Sequence, residues 1–590
     1  MKISWKKLCG WFILVLTPVL LFYLMEFYEH NPFTEVRGLA QLFNIILFEL
    51  IAWMLFGIFG SAKAALRIEL VLAMVFGLVN HYVLAFRSTP FVPWDILSLR
   101  TAASVAGQYN YAPSIRVVVV TLLFIGVFAA LHFEKIYWRK WQRTLLLVLC
   151  AAILVVFAGR LQDRKFQLDS YLYPHLFTPV YMMQVNGMAV TFVMDLAYMQ
   201  VERPGNYNKE ACENLLASYE ENSVDEAATT LDYPNLIVIM DEAFSDLSVL
   251  GDVKASEDYM PFLHSLLDHG ENTVSGNLYV SVCGGNTANT EFEFLTGNTM
   301  AFLPAGSVPY QQYIHDDIPA LPSYLNRLGY ETYAMHPYHA TGWNRNVVYP
   351  RMGFSHMVFQ EDMAFMEYIR KYVSDRSDFQ KVVEILQEKP ANKPCFIFNV
   401  TMQNHGGYSD SYANFTADIT TDYENPQLDQ YLSLIKRTDE SVKELLTYLA
   451  AQEEKTVVVF FGDHQPSNAV TGSINQDLTD SDYYYTSEDS VISNDVENPR
   501  YIVPYIVWAN YDIAEESGYD MSVNYLAANT LRIAGIPTNA YQNYLLELQQ
   551  KYPVITGIYT KSQGTADAQS LEQYQCLQYY RLFEEKDEQP

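Results

Sequence analysis

The stretch NLIVIMDE, residues 235–242, sets an unbroken apolar run directly before two carboxylates. A short apolar run without alternation is typical of a strand that is buried on both faces of a parallel sheet. Asp241 and Glu242 then fall at the carboxyl end of that strand, the edge at which open α/β sheets bind ligands. The stretch therefore predicts a fold class and the place of a site.

Four further apolar segments follow, and segments with helical periodicity separate them. The strands are predicted at ETYAMH (331–336), CFIFNV (395–400), TVVVFF (456–461) and YIVPYIVWA (501–509), and the helices at about 260–269 and within ALPSYLNRLGY, DFQKVVEILQEK and YLSLIKRTDESVKELLTYLAAQ. This alternation indicates an α/β domain with a mainly parallel sheet. We place the domain at residues 234–545, followed by a C-terminal tail at 546–590.

Carboxylates and imidazoles follow four of these strands at their carboxyl ends. His336 closes ETYAMH, His405 lies in TMQNHGGY after CFIFNV, and Asp463 and His464 lie in GDHQPS after TVVVFF. One Asp-His pair after a strand is more often a turn with a hydrogen-bonded histidine. Four such placements at one sheet edge weaken that interpretation and favour a site.

The first third of the chain contains five apolar runs near the length that crosses a bilayer, roughly 20 residues. They are Leu8–Phe27, Ala40–Gly60, Ile68–Phe86, Val117–Phe133 and Thr144–Gly159. Basic residues cluster before the first run and in the loops after the second and fourth, which the positive-inside rule places in the cytoplasm. We therefore predict a five-span membrane domain at residues 1–165, in a multi-pass cell-membrane protein whose large domain is extracellular.

A sixth crossing by Pro179–Met199 would reverse that orientation. Asp195 would then lie within the bilayer, where a charge costs about 2.5–3.5 kcal/mol. We predict instead a helix at the membrane surface. It belongs to an interfacial helix and linker at residues 166–233.

The net charge is −29, and the acidic residues are concentrated after residue 165. This charge excludes nucleic acid as a probable class of partner. An acidic domain that binds a phosphate-bearing substrate needs a local positive centre, and a metal ion is one source of it. The six cysteines show no telling spacing, so we predict no disulfide framework.

Glu242, Asp463 and His464 form a mixed oxygen and nitrogen set that suits Mn²⁺, Mg²⁺ or Zn²⁺. The stretch VSVCGGNTANTEFEFLTG, residues 280–297, offers two candidate nucleophiles, Cys283 and Thr287, although taken alone it is read more simply as a glycine turn before a helix cap. A hydroxyl on such a metal would be activated, whereas a thiolate would favour a softer metal. The combination favours Thr287.

The motifs DEAFSDL, GGNTANTEFEF, WNRN, QNHGGY and FGDHQPS occur in this order. Together with the apolar first third, they resemble the lipoteichoic acid synthase group of phosphoglycerol transferases, within the alkaline phosphatase and sulfatase superfamily. The motifs span roughly residues 235–510. Over the spans the resemblance is one of architecture.

The resemblance implies a role for each matching residue. Glu242, Thr287, Asp463 and His464 would bind one metal, usually Mn²⁺, and Thr287 would be the nucleophile. His405 would contact the phosphoglycerol group and assist the leaving oxygen. The glycerol-phosphate pocket would comprise His336, Trp343 and Arg345. Tyr338 departs from the family pattern, which has an acidic residue there.

The implied function is transfer of a phosphoglycerol group from phosphatidylglycerol, through a phospho-threonine, to a glycolipid or a growing polyglycerolphosphate in cell wall biogenesis. A phosphoethanolamine transferase or a phosphodiesterase of the same superfamily is an alternative. So is a non-catalytic outer-surface protein that binds teichoic acid. A true sulfatase needs a C-x-P-x-R run, and Cys283 is followed by GGNT instead.

Overall fold

The computed structural model describes residues 5–87, 90–96, 112–131, 138–173, 179–199, 201–220, 233–304, 307–364, 366–475, 497–564 and 566–585. The chain forms two compact units, residues 1–201 and 202–590. Residues 221–232 of the predicted linker lie outside the described residues, as do the basic residues Lys2 and Lys135 that contribute to the predicted orientation.

The first unit is helical. Its helices are α1 (Trp5–Glu26), α2 (Gly38–Phe59), α3 (Ala62–Arg87), α4 (Ile115–Ala130), α5 (Lys140–Gln162), α6 (Arg164–Asp169), α7 (Pro179–Asn186) and α8 (Met188–Asp195). In the described part of the chain, three stretches are long and apolar enough to cross a membrane: Gly38–Phe59, Ala62–Ala85 and Lys140–Gln162. Of the other two predicted spans, α4 (Ile115–Ala130) is shorter, and α1 is described with its side chains over Gly10–Glu26, so five spans are not confirmed.

The segment predicted as one helix, 179–199, is broken in two at Gly187. This glycine has φ 82°, and a Cβ there would lie 2.5 Å from Asn44 Nδ2. Asn44 also binds across the break, because its Nδ2 donates to the Asn186 carbonyl and its Oδ1 accepts from the Val190 N–H. Each half has eight residues, too few to span a bilayer.

The second unit contains an eight-stranded sheet with the spatial order β10-β2-β9-β8-β1-β7-β3-β4. Two small hairpins, β5–β6 and β11–β12, lie outside it. The strands are β1 (Asn235–Asp241), β2 (Thr273–Tyr279), β3 (Glu331–His336), β4 (His356–Phe359), β5 (Tyr368–Ile369), β6 (Tyr372–Val373), β7 (Cys395–Val400), β8 (Thr456–Gly462), β9 (Ile502–Ala509), β10 (Met521–Ser522), β11 (Val554–Ile555) and β12 (Thr560–Lys561). Only β9 pairs antiparallel within the described sheet, so the predicted mainly parallel α/β class is confirmed.

Helices connect and cover this sheet. They are α9 (Lys209–Glu220), α10 (Pro261–Leu267), α11 (Thr287–Thr296), α12 (Pro309–Gln312), α13 (Leu321–Arg327), α14 (Arg345–Arg351), α15 (Asp375–Glu388), α16 (Pro426–Ala450), α17 (Asn468–Thr471), α18 (Val523–Ala534), α19 (Ala540–Lys551) and α20 (Ala568–Phe583). A core of apolar side chains from β1, β7, β8 and α16, including Ile237, Ile397, Val458 and Leu445, is almost wholly buried. Helix α20 packs on the same unit, since Gln578 exchanges two hydrogen bonds with the backbone of Thr299.

The strand order decides where the site lies. Strands β8, β1, β7 and β3 are consecutive neighbours and run parallel. Their carboxyl ends therefore meet at one edge, as the sequence predicts for the residues that follow them. At this edge Gly462 passes so close to the Phe244 carbonyl that any Cβ would overlap it, which leaves glycine as the residue that fits.

Candidate metal and nucleophile site

Three predicted metal ligands converge at the sheet edge. The ligand atoms of Glu242, Asp463 and His464 all lie within 4.8 Å of one another, and all three residues are buried. His464 Nε2 lies 3.2 Å from Asp463 Oδ2 and 3.9 Å from Glu242 Oε1. The β1 and β8 ends are also tied together, because the Ala243 N–H donates to Asp463 Oδ1 at 2.7 Å.

Two atoms of this group are buried without a hydrogen-bond partner among the described residues, Asp463 Oδ2 and His464 Nε2. Leaving such atoms unsatisfied in the protein interior is costly. The other ring nitrogen of His464, Nδ1, lies 2.9 Å from the Gln465 carbonyl, a contact that holds the ring and directs Nε2 toward the carboxylates. The residues present therefore fit a small divalent cation with oxygen and nitrogen ligands.

Burial and the neighbouring Asp463 carboxylate raise the pKa of Glu242 well above its usual value. Burial also raises the pKa of Asp463, and the His464 imidazole opposes that rise. Two carboxylates so close together and so dehydrated favour protons, or a cation, over the free ionised pair. A metal ion would remove this conflict because it stabilises both ionised forms.

Thr287 is the hydroxyl that reaches the acidic cluster. Its Oγ1 donates to Glu242 Oε2 at 3.2 Å, and the residue is only 5% exposed. Thr287 is the first residue of α11, so the positive end of the helix dipole faces an oxyanion formed there. Gly284, Gly285 and Asn286 all have positive φ in the turn before it, which explains the glycine pair.

Cys283, the rival nucleophile, makes a different contact. Its Sγ accepts a hydrogen bond from Arg500 Nη2 at 2.8 Å. It is partly exposed, whereas Thr287 is buried against Glu242. The geometry thus agrees with the sequence argument for Thr287.

Arg345 is predicted as a phosphate ligand, but the structure pairs it with a carboxylate. Its Nε and Nη2 donate to Glu291 Oε1 at 3.0 and 2.5 Å, and both residues are buried. Tyr349 Oη also donates to Glu291, at 2.7 Å. Burial alone would lower the pKa of Arg345, but the carboxylate of Glu291 outweighs that effect, so the pKa is raised.

Glu291 is a site residue that the sequence argument does not predict. It lies four residues after Thr287 on α11, so one helical turn places both on the same face. That spacing within TANTEFEF is the signal that could have identified it. The remaining guanidinium nitrogen of Arg345, Nη1, contacts His336 Nε2 at 3.0 Å, and His336 Nδ1 lies 2.8 Å from the Val400 carbonyl. Burial and Arg345 both lower the pKa of His336.

Trp343 is half-buried and lies two residues before the start of α14, whose N-cap is Asn344. It and Asn344 have φ of 52° and 64°, in the left-handed region that a bulky residue rarely adopts. Such backbone strain clusters at ligand sites, where the surrounding structure maintains it. Trp343 is therefore not the core residue that an α/β domain usually makes of tryptophan.

His405 lies on the loop after β7 and is exposed. Its Nδ1 lies 2.9 Å from the hydroxyl of Tyr372. Tyr338, which departs from the family pattern, packs edge-to-face against both His336 and Tyr372, with 6.2 Å between ring centroids in each pair.

A second group of buried polar residues surrounds Asp241, the neighbour of the predicted metal ligand Glu242. Asn404 Nδ2 donates to Asp241 Oδ1 and to Thr438 Oγ1, at 2.8 Å each, and the neighbouring Gln403 donates to Asp375 at 2.9 Å. Burial raises the pKa of Asp375 to about 7, while the hydrogen bond from Thr438 opposes the rise. Sequence analysis misses this group, because amides and a threonine on separate elements carry no local motif.

We expect Mn²⁺ to raise the melting temperature of the detergent-solubilised full chain, and Asp463→Asn to abolish that gain. A free Mn²⁺ concentration of 100 times Kd raises the free energy of unfolding by about 2.7 kcal/mol. The gain should increase with pH. Because the folded-state pKa values of Glu242 and Asp463 are raised, the metal-free protein loses stability as pH rises through them, and the metal binds the ionised forms.

Thermal unfolding with and without Mn²⁺, at about pH 6 and about pH 8, measures both effects. Glu440→Gln, an exposed carboxylate on α16, serves as the matched control and should keep the full gain. An equal Mn²⁺ effect in Asp463→Asn and the unaltered chain would argue against this metal site.

A mainly parallel α/β sheet thus carries, at one edge, two buried carboxylates and an imidazole that could hold a metal ion, with a buried threonine beside them. The sulfatase family model matches residues 234–536, more than half of the chain. The chain therefore belongs to the sulfatase family. Lipoteichoic acid synthases are among its relatives, so the resemblance found in the sequence is confirmed.

Two sequence relatives and one solved structure show the range of similar proteins. A protein assigned to cyclic beta-1,2-glucan modification in Rhizobium meliloti is 28% identical over 84% of this chain and 77% of its own length. The lipoteichoic acid synthase of Staphylococcus saprophyticus is 25% identical over 39% of this chain and 35% of that protein. The phosphoglycerol transferase GacH of Streptococcus pyogenes, solved with sn-glycerol-1-phosphate, shares the fold with a TM-score of 0.51 at 21% identity, over 65% of this chain and 95% of that one.

Proposed function

We propose that this protein is a membrane-anchored, divalent-metal-dependent phosphoglycerol transferase. The donor is phosphatidylglycerol, and the acceptor is a hydroxyl of a glycolipid or of a growing polyglycerolphosphate. The observation that carries the proposal is the contact between Thr287 Oγ1 and Glu242 Oε2, at the mouth of a cluster that fits a cation. The names of the relatives, a lipoteichoic acid synthase and a phosphoglycerol transferase, support this choice of substrates.

Glu242, Asp463 and His464 would hold the metal, preferably Mn²⁺, which would acidify the Thr287 hydroxyl and offset the negative charge of the phosphate. Thr287 gives its hydroxyl proton to Glu242 Oε2, the acceptor of its hydrogen bond, as Oγ1 forms a bond to phosphorus and the bond from phosphorus to the diacylglycerol oxygen breaks. The diacylglycerol oxygen takes up a proton, and glycerol phosphate remains esterified to Thr287. We propose that His405, on the loop after β7, supplies that proton.

The second half of the reaction reverses the first. An acceptor hydroxyl gives up its proton to His405 and forms a bond to phosphorus, the bond from phosphorus to Thr287 Oγ1 breaks, and Oγ1 regains its proton from Glu242. The guanidinium of Arg345 is paired with Glu291 and contacts His336 Nε2, so it is not a free cation for the substrate. We infer that His336 and Trp343 contact the glycerol phosphate. Arg345 acts chiefly by positioning His336.

The apolar helices supply a physical reason for the lipid donor. Phosphatidylglycerol does not leave the bilayer, so an enzyme that is anchored there meets it at a high effective concentration. The positions of the basic loops favour an extracellular catalytic domain. That orientation also gives access to cell-wall acceptors.

The test is to reconstitute the full chain in liposomes with Mn²⁺ and fluorescent phosphatidylglycerol. We expect release of fluorescent diacylglycerol and transfer of glycerol phosphate to an added glycolipid. Phosphatidylethanolamine of the same acyl composition is the matched donor. A preference for it would favour the phosphoethanolamine alternative, free glycerol phosphate as the product would favour a phosphodiesterase, and release from neither donor would support a non-catalytic protein.

A further inference from the structure

The β5–β6 hairpin is absent from the motifs that mark the site, yet it lies against the His405 loop. Its two central residues are Arg370 and Lys371, between the paired residues Ile369 and Tyr372. Arg370 has φ 56°, a left-handed conformation in which glycine is usual. A strained arginine that persists at a turn indicates that its side chain is held by strong contacts.

Arg370 is buried, with 4% of its surface exposed. Its Nη2 donates to the backbone carbonyls of Gln403 and His405, at 2.8 and 2.5 Å. The guanidinium carbon lies 5.6 and 5.3 Å from the ring centroids of Tyr372 and Tyr408, within the range of cation–π attraction. The guanidinium thus contacts neutral carbonyls and aromatic rings, and its two hydrogen bonds fix the backbone of the loop that carries His405.

Tyr372 contacts the imidazole of His405, the residue whose backbone carbonyl Arg370 binds. Its hydroxyl is 2.9 Å from His405 Nδ1, and the two ring centroids are 5.2 Å apart. Tyr372 is 6% exposed, whereas His405 is open to solvent. With Nδ1 engaged from the protein side, Nε2 is the ring nitrogen that serves a ligand. A hydroxyl can donate to Nδ1 or accept from it, so this contact serves both protonation states of the imidazole.

We propose that the β5–β6 hairpin is a positioning element for His405. Arg370 fixes the loop backbone and Tyr372 fixes the imidazole, so that Nε2 faces the ester oxygen that gains or loses a proton. The inference rests on the proposed function for the identity of that oxygen. The hold on the ring itself is a property of the structure alone.

The kinetic test compares Tyr372→Phe with Tyr368→Phe, an exposed tyrosine on the same hairpin, in the reconstituted full chain. We expect Tyr372→Phe to lower kcat for diacylglycerol release about tenfold with KM unchanged, because a misplaced proton donor weakens the chemical step more than binding. Tyr368→Phe should match the unaltered chain. An unchanged kcat in Tyr372→Phe would overturn the proposal.

A double-mutant cycle with His405→Ala separates positioning from a direct role. If Tyr372 acts through His405, then Tyr372→Phe costs nothing further once the imidazole is gone. The same tenfold loss in the His405→Ala background would overturn the inference.

Arg370→Lys keeps the charge but not the planar fork, so we also expect it to lower kcat, with the Mn²⁺-induced rise in melting temperature preserved as proof of folding.

A readout without turnover separates this inference from the proposed function. Diethyl pyrocarbonate modifies imidazole nitrogens, and mass spectrometry of the His405 peptide distinguishes one added group from two. We expect a single addition in the unaltered chain and in Tyr368→Phe, because Nδ1 is engaged, and a second addition in Tyr372→Phe. Identical patterns in all three would refute the hold on the ring, whereas a lack of diacylglycerol release by the unaltered chain would bear on the proposed function alone.

Discussion

Thr287→Ala is expected to lower diacylglycerol release from phosphatidylglycerol by at least about 10³-fold, because removal of a nucleophile leaves only binding and electrostatic stabilisation. The structure supplies the reason. Thr287 Oγ1 is the hydroxyl that contacts Glu242, and it begins the helix whose dipole favours a negative oxygen. The measurement is initial-rate release of fluorescent diacylglycerol by the full chain in liposomes with Mn²⁺.

Two further variants make this prediction specific. Thr287→Ser keeps a hydroxyl in place and should retain measurable activity, and its peptide should carry the trapped glycerol phosphate. Cys283→Ala removes the rival nucleophile, which contacts Arg500 instead, and should stay near the activity of the unaltered chain. Loss of activity in Cys283→Ala with retention in Thr287→Ala would reverse the assignment.

Glu291→Gln is expected to cost about 3–5 kcal/mol of folding stability, the usual effect of removing one partner of a buried ion pair. Both Glu291 and Arg345 are almost fully buried, and Glu291 accepts hydrogen bonds from Arg345 and Tyr349. The amide would leave the guanidinium dehydrated and without a counterion. Thermal and denaturant unfolding of the solubilised full chain would measure the loss.

Asp418→Asn is the matched control, because it breaks a carboxylate–arginine pair at the surface. Asp418 lies 2.7 Å from Arg437, and both side chains are more than a third exposed. Exposed pairs are worth less than about 1 kcal/mol, so this variant should unfold almost as the unaltered chain does. If Glu291→Gln were equally mild but raised KM for the donor, then Arg345 would bind phosphate directly, as the sequence motif implies.

The α/β class and the convergence of the candidate metal ligands could be predicted because they depend on local patterns. Continuous apolar runs identify strands that are buried on both faces. A residue placed after such a strand must then lie at the carboxyl edge, whichever neighbours the strand acquires. Glu242 lies more than 200 residues before Asp463 and His464 along the chain, and the three side chains still converge at this edge.

The membrane region was harder to predict, since hydropathy reports composition and not helix length. The run around α4 is apolar enough, but its helix, Ile115–Ala130, has 16 residues, fewer than the roughly 20 that a full crossing needs. Likewise Pro179–Met199 has the composition of one helix, yet Gly187 and its contact with Asn44 divide it. Such breaks depend on a neighbour that is distant in sequence.

By itself, then, the sequence determined the mainly parallel architecture and the sheet edge at which Glu242, Asp463 and His464 meet, while the metal and the choice of Thr287 over Cys283 stay predictions. Only the tertiary structure decided that Arg345 is neutralised by Glu291 and that His405 is held by Tyr372 and Arg370. The physical reason is that strand periodicity and strand-end placement are local, whereas the partner of a buried charge or ring is chosen by packing between elements far apart in the chain.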